Sequence, residues 1–92
     1  MIDKLDNADV LMISDKGDYG VIEVLGGGSP DIKVCYLAIC RYSNDDAVYL
    51  FSCTDDFSVE GDSLFDSLEE AVSSAQQRSC IQIIWNYPSD NK

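Results

Sequence analysis

Two stretches, Lys33 to Tyr42 and Ala47 to Thr54, constrain the fold of this 92-residue chain more than any other feature. Both are rich in Val, Ile, Tyr, Phe and Cys, which fit a pleated and half-buried backbone, and the turn formers Ser43-Asn44-Asp45-Asp46 separate them. The pattern predicts an antiparallel pair. With Tyr42 opposite Ala47, Cys40 faces Tyr49, Ala38 faces Phe51 and Tyr36 faces Cys53 on one side, while Ile39 and Leu50 share the other. Each side is largely apolar, so the pair needs two covers. It belongs in the middle of a sheet, or beneath a helix on one face with a partner or loop on the other.

The flanking segments supply candidates for those covers. Val10 to Ser14 and Tyr19 to Leu25 read as a first hairpin around Asp15-Lys16-Gly17-Asp18, and residues 2 to 9 as a helical turn or an arm. Gly26-Gly27-Gly28-Ser29-Pro30 reads as a flexible loop. Val59 to Phe65 reads as an edge strand, marked by Gly61 and by acids that discourage aggregation. Ser67-Leu68-Glu69-Glu70 matches the capping box S-x-x-E, and Leu68, Ala71, Val72 and Ala75 follow the spacing of one buried helical face, which predicts a helix over about 67–79. Its alanines allow close approach to a sheet, and Arg78 suits the helix dipole. Cys80 to Tyr87 reads as a last strand, and 88–92 as a loose tail. The expectation is one α+β domain over 1–92, mainly an antiparallel sheet of about five to six strands with a single helix packed on one face.

Composition bears on function more than on fold. Apolar residues make up 46% of the chain and charged residues 25%, a globular balance. Seventeen acids against six Lys and Arg leave a net charge of −11. Such a surface repels nucleic acid phosphates and anionic lipids and draws in cationic proteins, although charge alone also serves solubility. No apolar run has the length of a membrane span, and Met1 to Asp6 lacks the basic and apolar regions of a signal peptide, so the expected compartment is the cytoplasm. Cys35, Cys40, Cys53 and Cys80 show no CxxC spacing and lie in apolar segments, which predicts buried thiols rather than a disulfide framework or a zinc knuckle.

Several chemistries lack their residues. The chain has no histidine, so neither a Ser-His-Asp triad nor a Cys-His pair can form. Paired acids serve glycosidases, but they need a cleft that so short a chain is poorly able to build. The three glycines lack the Lys-Ser/Thr of a phosphate-binding loop. Asp56, Ser58, Glu60 and Gly61 match the early places of a calcium loop, but Ser67 stands where the bidentate glutamate belongs, so the segment reads as a structural turn. No cofactor, metal or catalytic role is expected.

What remains is a run of seven acids without a base: Asp55, Asp56, Glu60, Asp62, Asp66, Glu69 and Glu70. Part of it serves the helix N-terminus and the turns. The functional expectation is an acidic plate at one end of the fold with Phe57 as an apolar anchor, docking on a basic surface. Asp45 and Asp46 either extend it or lie at the opposite end.

Tyr49-Leu50-Phe51-Ser52-Cys53-Thr54-Asp55-Asp56, followed by Gly61-Asp62 and Asp66-Ser67-Leu68-Glu69-Glu70-Ala71, resembles the small acidic bacterial immunity proteins. That resemblance implies a cytosolic inhibitor of a cognate toxin, often a nuclease domain of a contact-dependent inhibition or polymorphic toxin system. The expected partner is a basic protein toxin in a one-to-one complex, not nucleic acid or membrane. Two alternatives stand beside it: a nucleic-acid mimic that blocks a DNA-binding or defence protein, and a regulatory or structural subunit whose charge serves only solubility.

Overall fold

The computed structural model describes residues 3–22, 31–79 and 82–88. In chain order its elements are β1 (Lys4–Leu5), β2 (Ala8–Ser14), β3 (Val21–Ile22), β4 (Ile32–Lys33), β5 (Tyr36–Arg41), β6 (Val48–Cys53), β7 (Val59–Phe65), α1 (Leu68–Gln77) and β8 (Trp85–Asn86). The fold is α+β: a curled antiparallel sheet ordered β1-β2-β5-β6-β7, with β8 also beside β2, and one helix. β3 and β4 form a separate two-stranded ladder.

The central pair has the register its alternation predicts. Tyr36 lies opposite Cys53, Ala38 opposite Phe51, Ile39 opposite Leu50 and Cys40 opposite Tyr49. β5 is flanked by β2 and β6, and β6 by β5 and β7, so both strands are interior. Leu37, Ile39, Val48 and Leu50 point to the helix side, where Ala71 and Ala75 of α1 close the layer, all with no measurable exposure. Each such Leu or Ile contributes roughly 1.5–3 kcal/mol by leaving water. Ala38, Cys40, Phe51 and Cys53 point the other way and are equally buried.

α1 is capped at Ser67, as the sequence predicts, while the Glu70 carboxylate meets the Ser67 hydroxyl. Ser67 is extended (φ −143°), its Oγ accepts from the Glu70 amide at 3.2 Å, and its hydroxyl donates to Glu70 Oε1 at 3.3 Å. Ala71 and Ala75 face the sheet, Val72 packs at its margin, and Leu68 stays 40% exposed. Arg78 is the C-cap, with its amide donating to the Ala75 carbonyl at 3.0 Å. Its guanidinium reaches across to the sheet and donates to Ser52 Oγ at 2.8 Å.

The first predicted hairpin is not seen among the described residues: β2 pairs with β1, β5 and β8, while Val21 and Ile22 pair with Lys33 and Ile32, and residues 23–25 lie outside the described residues. Val10, Met12 and Ile13 are buried against the central pair, and that long-range burial outweighs the local turn signal. Instead, residues 15–20 fold back on the sheet. The Tyr19 hydroxyl donates to the Asp15 carbonyl at 2.8 Å, and a Cβ on Gly17 would sit 3.1 Å from Tyr19, close enough that the ring would have to give by a few tenths of an ångström. Gly20 (φ +99°) then turns the chain into β3, which pairs with β4, so Lys33 belongs to the small ladder and the central strand starts at Tyr36. Residues 4–9 are neither arm nor helix but a tight hairpin, with Asp6 (φ +51°) and Asn7 (φ +69°) as its left-handed central pair.

The last predicted strand is shorter than its alternation suggests. Among the described residues only Trp85 and Asn86 join the ladder, pairing with Ser14 and Ile13. Asn86 Nδ2 holds it in place, donating to the Ile13 carbonyl at 3.2 Å and to Asp15 Oδ1 at 2.8 Å, while the Ile83 amide donates to Gln76 Oε1 at 3.0 Å. Ile83 is buried under the helix and Ile84 points away, 63% exposed, as the alternation requires. Cys80 and Ile81, the loop 26–30 and the tail beyond Pro88 lie outside the described residues.

Candidate functional site

The predicted acidic plate is divided by the fold. The turn carrying Asp55 and Asp56 joins β6 to β7, whereas Asp66, Glu69 and Glu70 follow the far end of β7. A seven-residue strand puts about 20 Å between those ends at ~3.3 Å per residue. Phe65 pairs with Val48, so Asp66 and the helix start lie at the same end as the turn carrying Asp45 and Asp46. Glu60 and Asp62 lie along β7 between the two ends. The seven acids therefore do not share one end, because proximity in sequence was bridged by a full strand.

The turn 54–58 is a hairpin loop closed by the Thr54 amide donating to the Ser58 carbonyl at 3.0 Å and the Phe57 amide to the Thr54 carbonyl at 3.1 Å. The Asp56 carboxylate accepts from the Thr54 hydroxyl and, at 3.3 Å, from the Ser58 amide; the first of these bonds contributes most to holding its pKa below the usual carboxylate value. The Ser58 hydroxyl donates to Glu60 Oε2 at 2.8 Å. Asp56, Ser58 and Glu60 are thus engaged with the turn itself. Among the described residues no group of three His, Cys, Asp or Glu side chains is placed to hold a metal ion.

Phe57 occupies the left-handed position of this loop (φ +66°), where glycine is usual and an L side chain costs about 1–2 kcal/mol. Stacking compensates: its ring lies on Tyr36 with centroids 4.4 Å apart and planes at 24°. Phe57 is therefore not at the centre of a plate. It is half-buried at one end of the sheet face that α1 does not cover.

That face is the candidate site. Its buried floor of Ala38, Cys40, Phe51 and Cys53 is covered by β1 and by four half-buried rings: Tyr36, Tyr42, Tyr49 and Phe57. Tyr42 meets Tyr49 edge-on, with centroids 5.3 Å apart and planes at 83°. Asp62 and Leu64 lie opposite Phe51 and Tyr49, so their side chains share this face, and Leu64 is 60% exposed. At the Phe57 end, Ile13, Ser14, Tyr36, Phe57 and Asn86, with Asp15 and Lys16, line a cavity of about 410 Å³.

Acid rims the rings. The Tyr49 hydroxyl donates to Asp45 Oδ2 at 3.3 Å and the Tyr42 hydroxyl to the Asp6 carbonyl at 3.2 Å. Both phenols titrate above their ordinary value. Desolvation contributes most, followed by negative charge: Asp45 and Asp62 at Tyr49, Asp6 and Asp62 at Tyr42. The rings thus remain neutral hydroxyl donors in a negative field. Beneath them burial pushes the Cys40 thiol up to about 12, helped by Cys53 and Asp9, and Cys53 to about 11. These are inert packing groups, and Cys35 is likewise free and buried.

Among the residues expected to bind, Asp45 lies at one end of this face, Phe57 at the other and Asp62 between them, with Asp55 and Asp56 in the turn beside Phe57. Asp66, Glu69 and Glu70 belong to the helix N-terminus. Sequence reasoning did not single out Tyr36, Tyr42 and Tyr49, which the structure brings to this face. Their alternation placed them on one face, but it did not show which face the helix would cover. The helix side also has an apolar groove, lined by Met12, Leu68, Val72, Trp85 and Tyr87, and among the described residues Glu69 is the only acid in its lining. No protein-family model, known protein or solved structure matches this chain.

Proposed function

We propose that this chain is an immunity-type inhibitor, an acidic module that captures a basic protein toxin one-to-one, with a cationic nuclease domain the target class its charge best fits. The observation that carries the reading is the acid-rimmed layer of tyrosines and Phe57 on the sheet face that the helix leaves uncovered. Tyrosine brings large apolar area and a hydroxyl at low entropic cost, the chemistry of interface hot spots. Carboxylates around such rings steer a cationic partner and fix its orientation, while the net charge of −11 accelerates encounter. With no histidine in the chain, binding is better supported than acid–base catalysis.

The test is capture by tagged chain from lysate of the cells that encode it, washed at low and then high salt, using wild type, the pair Asp62→Lys with Leu64→Lys, and Ser73→Lys on the outer helix. The reading expects one stoichiometric basic protein that salt weakens, that Ser73→Lys retains and the β7 pair loses. The captured protein should be an enzyme or toxin that the wild-type chain inhibits at equimolar ratio. Recovery of many nucleic-acid-binding proteins, or a partner indifferent to the β7 pair, would overturn it.

A further inference from the structure

The sheet ends in two unlike edges. On one side β2 is flanked at its ends by two-residue strands: Asp9 pairs with Lys4 as well as Arg41, and Ile13 with Asn86 as well as Ala38. Short strands of this kind blunt an edge. On the other side lies β7, seven residues long, whose sole ladder partner among the described residues is β6. Its outer amides and carbonyls form a template about 20 Å long.

The side chains of β7 select what can pair there. Glu60, Asp62 and Leu64 are exposed, and Glu60 is the extra residue of a bulge, since Ser52 pairs with Gly61 and Cys53 with Val59. A second copy of β7 would set carboxylate against carboxylate, with −11 on each chain. A strand bearing Lys or Arg meets no such penalty. Asp62 and Leu64 stand opposite Phe51 and Tyr49 on the uncovered face, so a strand added outside β7 would place alternate side chains next to them: a cation beside Asp62 and an apolar group beside Leu64.

We infer that β7 is a strand-addition site, and that the occupant is an extended Lys/Arg-bearing segment of the partner protein that continues the sheet and carries the contact onto the tyrosine face. This rests on the reading of the chain as a binder of a basic protein. Main-chain pairing supplies the affinity, and the acids exclude self-association while admitting cationic strands.

The experiment selects short random peptides on the purified chain by display. The best peptide is then resynthesised in two forms, each N-methylated at one of its two alternating sets of backbone amides. Strand addition uses one edge of the peptide, so one methylated form should lose affinity by about tenfold or more, as several lost hydrogen bonds imply, while the other binds nearly as the parent. Selected sequences should carry Lys or Arg at alternate positions without internal proline, and Asp62→Lys should abolish their binding. Equal behaviour of the two methylated forms, selection of sequences without that alternation, or no selection overturns the inference. A basic protein captured through Asp62 and Leu64 without strand-like peptides would leave the inhibitor reading standing and remove strand addition. Strand-like peptides without a stoichiometric basic partner would do the reverse.

Discussion

The two faces of one sheet are closed by different means. On the helix side Leu37, Ile39, Val48 and Leu50 are sealed by Ala71 and Ala75, small residues that let a helix backbone lie directly on the strands. On the other side Ala38, Cys40, Phe51 and Cys53 are just as deeply buried, but the lid is made of rings whose outer surfaces stay partly in water. The helical lid seals the strands beneath it and leaves apolar surface at its margin, among Leu68, Val72, Trp85 and Tyr87. An aromatic lid closes the core and still leaves apolar ring surface exposed beside acids, which is the surface the proposed capture of a basic protein would use.

The comparison breaks if the uncovered face is not a true core. Phe51→Ala should cost about 3–5 kcal/mol and Leu50→Ala about 2–5 kcal/mol in urea unfolding, because each leaves a cavity in a closed layer. A Phe51→Ala cost below about 1 kcal/mol would mean that the ring-covered face is mere surface. Phe57 sharpens the contrast. Phe57→Ala forfeits the Tyr36 stack and keeps the left-handed strain, whereas Phe57→Gly forfeits the stack but removes the strain, so the glycine variant should be the more stable by about 1 kcal/mol. The reverse order would show that the loop, rather than the stack, sets the backbone.

On the helix side Ser67→Ala should cost about 1 kcal/mol through the lost cap, with α1 frayed at its start in circular dichroism and the tyrosine face unchanged in near-ultraviolet spectra. The smallest effect is chemical. With thiol pKa values of about 12 and 11, Cys40 and Cys53 should resist alkylation at pH 8 until denaturant is added, as read by mass spectrometry of labelled peptides. Their folded-state values are raised, so the stability they contribute is present below the ordinary thiol value of 9.0 and is lost as pH climbs through about 11 to 12. Ready labelling at pH 8 would show that the aromatic lid opens.

Some of this was legible in the sequence, where local signals and tertiary structure agree. The β5–β6 register followed from alternation, β7 from its edge composition, and α1 from Ser67 and Glu70. Val10 to Ser14 is a strand as its pattern predicts, but its partner was misassigned because a turn signal four residues long cannot show that the strand before it is claimed by Cys40, Ile39 and Ala38 far along the chain. Asp6-Asn7 carried a hairpin signal in its own right, since these residues tolerate positive φ. The acids were grouped by order in the chain, and β7 then separated them. The tyrosines went unassigned because alternation places a residue on a face without showing what covers it.

The central claim is that the ring-covered face receives the partner. Backbone hydrogen exchange of the chain, free and with the captured basic protein, tests it most directly. Added protection is expected over β7 and the tyrosine segments around 36–42 and 49–57, with 68–77 unchanged. Protection centred on α1 and on Trp85 and Tyr87 would place the partner on the helix groove and contradict it.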